Sequence, residues 1–349
     1  MRQIVQKSVL LLALLLGACG APAAAVPTIP AATAPAATAV ATVEATAAAT
    51  AATTAPAATA ESTPAEATAA ALQGTQVLTD SLGRTVELPA APQRIISLAP
   101  SNTEILFAVG AGPQVVGVTQ FCNYPAEATK LPQVGGFSAK TISVETIVSL
   151  KPDVVFAGDE SQQQVIEALE QVKIPVVAVK ASTLDEVYQN IALVGQATGH
   201  SADAATVVAD MQAKAAGVVA KLKDVDAKPK VFYQVYDEPL MTAGPRTFIG
   251  QLVELAGGQN IFADAQDDYP QISAEEVVSR NPEVVLGPES SSSTLTVEQI
   301  TQRPGWQNIA AVKDGRVVLV NDDIVSRPGP RLVDALEAIA KALHPDLFQ

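Results

Sequence analysis

Short apolar runs alternate with amphipathic stretches from about residue 75 to the end of the chain. The runs are rich in Val and Ile and are continuous, which is typical of strands that a parallel sheet buries on both faces. The stretches between them carry apolar residues at helical spacing. This alternation predicts an α/β fold, with strands at residues 94–98, 115–118, 153–156, 175–179, 230–235, 283–286 and 317–320.

One segment of the chain occurs twice. Residues 142–155 and 272–285 are identical at eight of fourteen positions. Each copy predicts a short helix that is capped by a serine, Ser143 or Ser273, and is followed by a proline and a buried strand. The duplication indicates two similar lobes, at residues 75–199 and 225–349.

A long amphipathic stretch separates the two lobes. Residues 202–222 contain no proline and repeat apolar residues at helical spacing, and a helix of this length is about 32 Å long. We therefore predict that one long α-helix, within residues 200–224, joins two lobes with mostly parallel sheets. The alternative is a surface helix of one lobe. Because a single helix is a stiff connection, we expect little hinge closure.

The N-terminus has the features of an export signal. Arg2 and Lys7 precede an apolar run at 9–16, which is too short to span a bilayer. The following Leu-Gly-Ala-Cys at 16–19 is similar to the lipobox of bacterial lipoproteins, in which the cysteine is acylated. The pattern predicts a signal peptide at 1–18 and a lipid anchor on Cys19. The alternative is an ordinary signal peptide with an incidental cysteine.

Residues 19–74 predict a disordered tether. Beyond Cys19 the segment is almost entirely Ala, Thr and Pro, with three glutamates as its only charges and no aromatic residue. Such a composition buries too little apolar surface to offset the entropy of ordering. We expect the tether to hold the folded domain, residues 75–349, away from the membrane surface.

Composition excludes several classes of function. The formal net charge is −14, which repels nucleic acid. Two cysteines and two histidines exclude a disulfide framework and argue against a zinc or iron–sulfur site. The chain also lacks a nucleophile elbow and a phosphate-binding loop. We therefore expect no enzyme activity, no metal site, no nucleic-acid partner and no cofactor of its own.

The aromatic residues are few and their places are informative. Ligands of doubly wound sheets bind outside the carboxyl ends of the strands. Five of the fourteen aromatic residues fall in the strand-to-helix loops at those ends, where flat faces suit a large, partly apolar ring. Ordinary packing of loops is the alternative. The five are Phe121, Tyr124, Phe137, Tyr236 and Tyr269.

Charged residues follow the last predicted strand. Asp323 and Arg327 lie in a segment that Pro328 and Pro330 keep out of a helix until Leu332. An arginine in a cleft donates hydrogen bonds to ligand amides, carboxylates or phosphates. We take Arg327 as a candidate for ligand binding, with a plain surface Arg–Asp ion pair as the alternative.

Glu145 and Glu275 occupy the same position in the two copies of the repeat. As the second residue of a helix, each carboxylate interacts favourably with the helix dipole. Their duplication suggests a second role, in which one acidic side chain on each lobe meets a basic pocket on a two-fold symmetric partner. On chemistry alone the two interpretations stand equally.

Residues 78–349 resemble the substrate-binding proteins of ABC importers for cobalamin, iron–siderophores and haem. The resemblance implies two Rossmann-like lobes joined by one spanning helix, in a monomer that delivers its ligand to a permease dimer with its ATPase. The segments that carry it are Asp80 to Val86, Arg94 to Glu104, Asn123 to Pro125, Glu145 to Val155, Gly257 to Phe262 and Arg327 to Arg331.

The cobalamin-binding branch is the most similar one. The motifs behind this are Ser-Asn-Thr-Glu at 101–104, Asn-Tyr-Pro at 123–125 and Tyr-Pro-Gln-Ile-Ser at 269–273. In that branch aromatic residues of both lobes hold the corrin, and two polar side chains after the last strand contact it. These roles fall on Phe121, Phe137, Tyr269, Asp323 and Arg327, with Tyr236 one residue beyond a matching position.

The resemblance also assigns Glu145 and Glu275 to contacts with permease arginines. The expected function is thus a lipid-anchored, extracytoplasmic protein that carries cobalamin or a related cobalt corrinoid to an ABC importer. Two alternatives stay open. One is the same role for a ferric siderophore or haem, and the other is a surface lipoprotein that presents its ligand to a signalling receptor.

Overall fold

A computed structural model describes residues 74–225, 227–289 and 295–348. The predicted signal peptide, Cys19 and the predicted tether up to residue 73 lie outside the described residues. Within those ranges no helix combines the length and the apolar character needed to cross a membrane.

The described chain begins with an antiparallel hairpin, β1 (Thr75–Thr79) and β2 (Thr85–Pro89). The sequence pattern did not predict it. Only alternate residues such as Leu78, Val86 and Leu88 are buried, so β1 and β2 lack the continuous apolar runs of the seven strands that the pattern predicts.

The first lobe is a four-stranded, fully parallel sheet covered by helices. Along the sheet the strands follow the order β4-β3-β5-β6. The strands are β3 (Ile95–Ser97), β4 (Val115–Val118), β5 (Val154–Ala157) and β6 (Val176–Ala178). The helices are α1 (Pro100–Ala108), α2 (Val144–Ser149), α3 (Gln163–Gln171) and α4 (Leu184–Thr198).

The second lobe repeats this plan after helix α5 (Ser201–Lys221). Its sheet has the order β11-β10-β7-β8, with β9 also paired to β7, and it is parallel except for the pair β7 and β8. The strands are β7 (Lys230–Tyr236), β8 (Met241–Thr242), β9 (Gln259–Asn260), β10 (Val284–Glu289) and β11 (Val317–Asn321). The helices are α6 (Phe248–Leu255), α7 (Ala274–Arg280), α8 (Val297–Thr301), α9 (Ala310–Lys313), α10 (Asp322–Val325) and α11 (Leu332–Leu343).

The predicted fold class is confirmed, and all seven predicted strands are present with ends shifted by a few residues. Strands β8 and β9 were missed because each has only two residues, too few to show a hydrophobic pattern.

One prediction is corrected for the segment before Leu332. Its first turn, Asp322–Val325, is helical, because Asn321 caps it by accepting the backbone N–H of Asp323. The prolines therefore exclude helix only from the part of the segment that contains them.

The two copies of the repeat form the same structure in both lobes. Ser143 and Ser273 cap α2 and α7 by accepting a backbone N–H three residues later. After each helix the chain passes through a left-handed residue, Lys151 with φ 49° and Asn281 with φ 46°, immediately before the proline. The strand that follows, β5 or β10, then occupies an inner position of its sheet. The duplicated sequence thus encodes a duplicated helix, turn and strand.

Helix α5 joins the lobes, as predicted. It packs on α4 of the first lobe and on α11 of the second, with Ala204, Met211 and Val218 buried along it. Lys214 makes ion pairs with two carboxylates of α11, at 2.6 and 3.0 Å. A single apolar cluster also runs through both lobes, from Ile95 in the first sheet to Leu286 in the second. The lobes therefore share part of their core.

A buried carboxylate fastens the hairpin to the first lobe. The side chain of Asp80 is fully buried and accepts the backbone N–H groups of Leu82, Arg84 and Ala178, at 2.9 to 3.1 Å. It also pairs with the guanidinium of Arg84, which in turn contacts Glu170. Since Ala178 belongs to β6, this one carboxylate ties the turn of the hairpin to the edge of the sheet.

We expect Asp80→Asn to lower the free energy of unfolding by about 3 kcal/mol, because the amide turns an N–H group toward buried donors and leaves Arg84 with less compensation. Urea unfolding followed by fluorescence of the buried Trp306 measures it. The control is Glu87→Gln in the same hairpin, at an exposed position, which should change stability by no more than about 0.5 kcal/mol. Equal effects of the two substitutions would contradict the role of Asp80.

Candidate functional site

A cavity of about 660 Å³ opens between the lobes. The loops that line it follow β3, β4, β5 and β6 of the first sheet, and β8, β9 and β11 of the second. All four strands of the first sheet and β11 of the second direct their carboxyl ends to it, so the cavity lies where ligands of doubly wound sheets bind. Its volume falls within the range of about 300–1,000 Å³ that is usual for small-molecule sites.

Aromatic rings line the cavity from both sides. Phe121 and Phe137 come from the first lobe and Tyr269 from the second, and their exposed fractions are 48, 41 and 38%. The other two loop aromatics, Tyr124 and Tyr236, are exposed as well but are not among the lining residues. All nine remaining aromatic side chains are buried or half-buried. Four of the five exposed aromatic side chains thus lie in the predicted loops, which is a sign of ligand contact rather than of core packing. The predicted strand-to-helix loop position of Tyr236 is wrong, because Tyr236 is the last residue of β7 and the next element is strand β8.

Gln162 holds the loop that carries Phe137. Its side chain is fully buried, and its amide group donates to the carbonyl oxygens of Phe137 at 2.8 Å and of Leu98 at 2.9 Å. Its amide oxygen accepts the backbone N–H of Gly158 at 2.8 Å. One side chain therefore connects the Phe137 loop with the ends of β3 and β5. The sequence analysis missed Gln162, since three consecutive glutamines give no local signal of which one is buried.

Arg327 lines the cavity and is held by groups from both lobes. Its guanidinium donates to Asp323 at 2.6 Å, to Asn123 at 2.6 Å and to Glu104 at 3.2 Å. The Nε–H and one Nη2–H have no partner among the described residues and are available to a ligand. Asp323 does not line the cavity but orients Arg327. The Arg327–Asp323 ion pair, which was the alternative to a role in ligand binding, is therefore present, and it lies at the cavity.

Glu104 is the most buried carboxylate of this region. Its side chain is 2% exposed and accepts two hydrogen bonds from Arg331, at 2.7 and 2.8 Å, in addition to the one from Arg327. The sequence analysis quoted Glu104 only as part of a motif. Its signal was a charged residue in the middle of a helix that has no other charged residue.

Two basic side chains among the described residues line the cavity, Lys180 and Arg327, and each forms an ion pair with a carboxylate. Lys180 contacts Glu160 at 2.7 Å, and this hydrogen bond raises the pKa of Lys180 and lowers the pKa of Glu160. Arg327 is paired as described above. At the rim, Arg246 contacts Asp268 at 3.0 Å. The cavity thus offers many polar groups and no unpaired positive charge.

Coordination of a metal finds little support in this cavity. Within the described ranges, no group of three His, Cys, Asp or Glu side chains is placed to hold a metal ion. Burial raises the pKa of Tyr269 to about 12, so its phenol is neutral in the ligand-free protein. His200 and His344 lie outside the lining.

The N-terminus of α1 borders the cavity as well. Ala99, Pro100 and Ser101 are lining residues, and no side chain caps the helix. The first N–H groups of a helix lack partners within it and carry partial positive charge. They can donate to carbonyl oxygens of a ligand.

The family model of periplasmic binding proteins matches residues 95–324, from β3 to α10. This range includes both sheets and the spanning helix. The chain belongs to this family. Its members bind ligands and are not enzymes, so this periplasmic binding protein is not an enzyme.

Two relatives align with most of the periplasmic binding protein. The uncharacterised ABC transporter substrate-binding lipoprotein YvrC of Bacillus subtilis is 34% identical over 290 residues, which cover 80% of this chain and 90% of the relative. A cobalamin-binding protein of Halobacterium salinarum is 34% identical over 271 residues, which cover 76% of this chain and 73% of the relative.

Solved structures of similar proteins have the same fold. The periplasmic vitamin B12 binding protein BtuF of Vibrio cholerae has a TM-score of 0.65 at 29% identity, covering 75% of this chain and 100% of that structure. The periplasmic haem-binding protein RhuT from Roseiflexus has a TM-score of 0.66 at 28% identity, covering 74% and 99%. A vitamin B12-binding protein and a haem-binding protein therefore resemble this chain almost equally in structure. The fold alone does not identify the ligand.

We expect Gln162→Leu to increase hydrogen exchange of the Phe137 loop, residues 135–143, by about tenfold, because the substitution removes the bond to the Phe137 carbonyl. Hydrogen exchange with mass spectrometry measures this without a ligand. The matched control is Gln164→Leu, two residues along at an exposed position. Exchange that is the same in both variants would show that Gln162 does not hold the loop.

Proposed function

We propose that this periplasmic binding protein captures cobalamin or a related corrinoid between its lobes and delivers it to an ABC permease dimer with its ATPase. The observation that carries the proposal is the cavity itself, with aromatic rings on both sides and with lining Lys and Arg side chains that are all paired with carboxylates. The cobalamin-binding relatives support the same ligand class.

The chemistry of a corrinoid matches the lining. The corrin is a large ring with apolar faces, which stack favourably on aromatic side chains. Its periphery carries neutral amides, which need donors and acceptors but no opposite charge. The partnerless N–H groups of Arg327 and the N-terminus of α1 provide donors, and the carboxylate of Asp159 provides an acceptor. Cobalt enters as part of the ligand, so the protein needs no metal site.

Ferric siderophores and haem are the second candidate, because a haem-binding protein is among the similar structures. Haem carries two propionate carboxylates, and ferric catecholate and carboxylate siderophores are anionic; recognition of an anion requires a cation that is free to pair with it. Lys180 and Arg327 are already paired with carboxylates. These observations favour the neutral corrinoid.

Docking to the permease falls on Glu145 and Glu275. Both are exposed at the second position of their helices, α2 and α7. Neither carboxylate has a hydrogen-bond or ion-pair partner among the described residues, so both are available to arginines of a two-fold symmetric permease.

The proposed attachment to the membrane is through Cys19, where acylation at more than one position of the mature N-terminus gives a stable anchor.

We expect the purified protein to bind cyanocobalamin at one site, with a dissociation constant of about 1 μM or below. Isothermal titration calorimetry measures it, with haemin and a ferric hydroxamate siderophore titrated in parallel. Saturable binding of haemin or of the siderophore, together with no binding of cyanocobalamin, would move the ligand to the second candidate.

We expect the double variant Glu145→Ala and Glu275→Ala to reduce cyanocobalamin uptake by at least about tenfold, since both contacts to the permease lose their charge. The affinity for cyanocobalamin should change less than about twofold. Uptake is measured with labelled cyanocobalamin in cells that express the cognate permease and no other binding protein.

The control for this prediction is Asp185→Ala and Glu298→Ala. These residues also occupy the second position of a helix, one in each lobe, at exposed sites. They match the helix-dipole contribution of Glu145 and Glu275. If both double variants reduce uptake equally, the acidic residues act on the helices and not on the permease.

A further inference from the structure

The buried carboxylate of Glu104 joins the two lobes. Glu104 lies on α1 of the first lobe, and both arginines that donate to it, Arg327 and Arg331, lie between α10 and α11 of the second. The side chains of the three residues are 2, 14 and 18% exposed. This is the geometry of a buried ion pair with satisfied hydrogen bonds.

Further contacts across the lobes surround this carboxylate. Asn123 of the first lobe donates to Asp323 at 2.9 Å and accepts from Arg327 at 2.6 Å. The guanidinium of Arg331 lies 4.0 Å from the ring centre of Tyr124, a cation–π distance. We call Glu104, Asn123, Asp323, Arg327 and Arg331 the lobe bridge. Each lobe provides part of it, so each part is incomplete without the other lobe.

The lobe bridge lies beside the cavity, because Arg327 is one of the lining residues. Moving the lobes apart at this end would separate a buried carboxylate from two guanidinium groups, which is strongly unfavourable. It would also release Arg327 from Glu104 and Asn123, which hold its Nη1 atom. The same contacts therefore determine the width of the cavity and the orientation of its arginine.

We propose that Glu104 is a positioning residue, which locks the lobes through Arg331 at the width that the ligand requires and orients Arg327 toward it. This inference rests on the proposed function for the identity of the ligand only. The locked arrangement itself is a property of the ligand-free protein.

The most direct variant is Arg331→Met. Arg331 does not line the cavity, and its hydrogen bonds go to Glu104 alone among the described residues, so the variant removes bridge contacts and no ligand contact. Arg280→Met is a matched control within one lobe. Arg280 makes a two-point ion pair with Asp264, at 2.7 and 3.1 Å, and lies 4.4 Å from the ring centre of Phe262.

The first measurement is the distance between the lobes without ligand. Spin labels on Gln164→Cys and Gln307→Cys, which are exposed positions in the first and second lobe, report it by double electron–electron resonance, and the native Cys122 is buried. We expect Arg331→Met to broaden or shift the distance distribution and Arg280→Met to leave it unchanged. A distribution that is the same in the wild type and in Arg331→Met would overturn the proposal.

The second measurement is the dissociation rate of cyanocobalamin by stopped flow. We expect Arg331→Met to raise the rate by roughly tenfold, since loss of part of a buried charge network acts mainly on dissociation. Arg331→Lys keeps the charge but loses the two-point geometry, so its rate should fall between those of the wild type and Arg331→Met. Unchanged rates in both variants would show that the bridge has only a structural role.

The double variant with Glu104→Gln completes the test. If Glu104 acts through Arg331, the two substitutions are coupled, and their combined effect on the dissociation rate is smaller than the product of the single effects. Fully multiplicative effects would contradict the proposal. Failure of the wild type to bind cyanocobalamin would refute the proposed ligand, whereas the lobe distances would still decide the role of the bridge.

Discussion

Strands that are buried on both faces are the constraint on which the architecture depends. Every residue of β3, β5 and β6 is buried, so these strands provide core and no polar chemistry. Polar and aromatic side chains with a function must therefore lie in the loops at the ends of the strands. Because each sheet is almost entirely parallel, these loops gather at one edge. Two such edges face each other, and the cavity is the space between them.

The affinity of the cavity for a ligand depends on how firmly the two lobes are held together. Helix α5 packs on both lobes, a continuous apolar cluster runs between them, and the lobe bridge joins them beside the cavity. These contacts exist without a ligand. A ligand that enters a preformed site loses little free energy to reorganisation of the protein. The same rigidity keeps Glu145 and Glu275 at a constant separation, as a partner with two fixed basic pockets requires.

Features encoded by neighbouring residues could be predicted from the sequence. Continuous apolar runs indicated the strands, the serine and proline of each repeat indicated α2 and α7, and the loop position of Phe121, Phe137 and Tyr269 indicated the lining. Features that depend on distant residues could not. Glu104 meets its arginines across 223 and 227 positions of the chain, and Gln162 reaches the Phe137 loop only after both strands are in place. Tyr236 shows that a position at the end of a strand is not sufficient. It lies at the end of β7, but it is not among the residues that line the cavity.

The lobe bridge also connects the stability of the site with its choice of ligand. Glu104 and Asp323 neutralise Arg327 while they hold it, and Glu160 does the same for Lys180. A cavity assembled in this way has no charge left for an anion, and the net charge of −14 opposes the approach of anions at long range. A neutral, amide-rich ring meets neither obstacle. Loss of the Glu104 charge would loosen the contact between the lobes, so the cavity would become wider. It would also leave the guanidinium groups of Arg327 and Arg331 with less negative charge nearby, so the cavity would attract anions more strongly. Under the proposed function, selectivity for neutral ligands and a fixed cavity width thus have one physical origin.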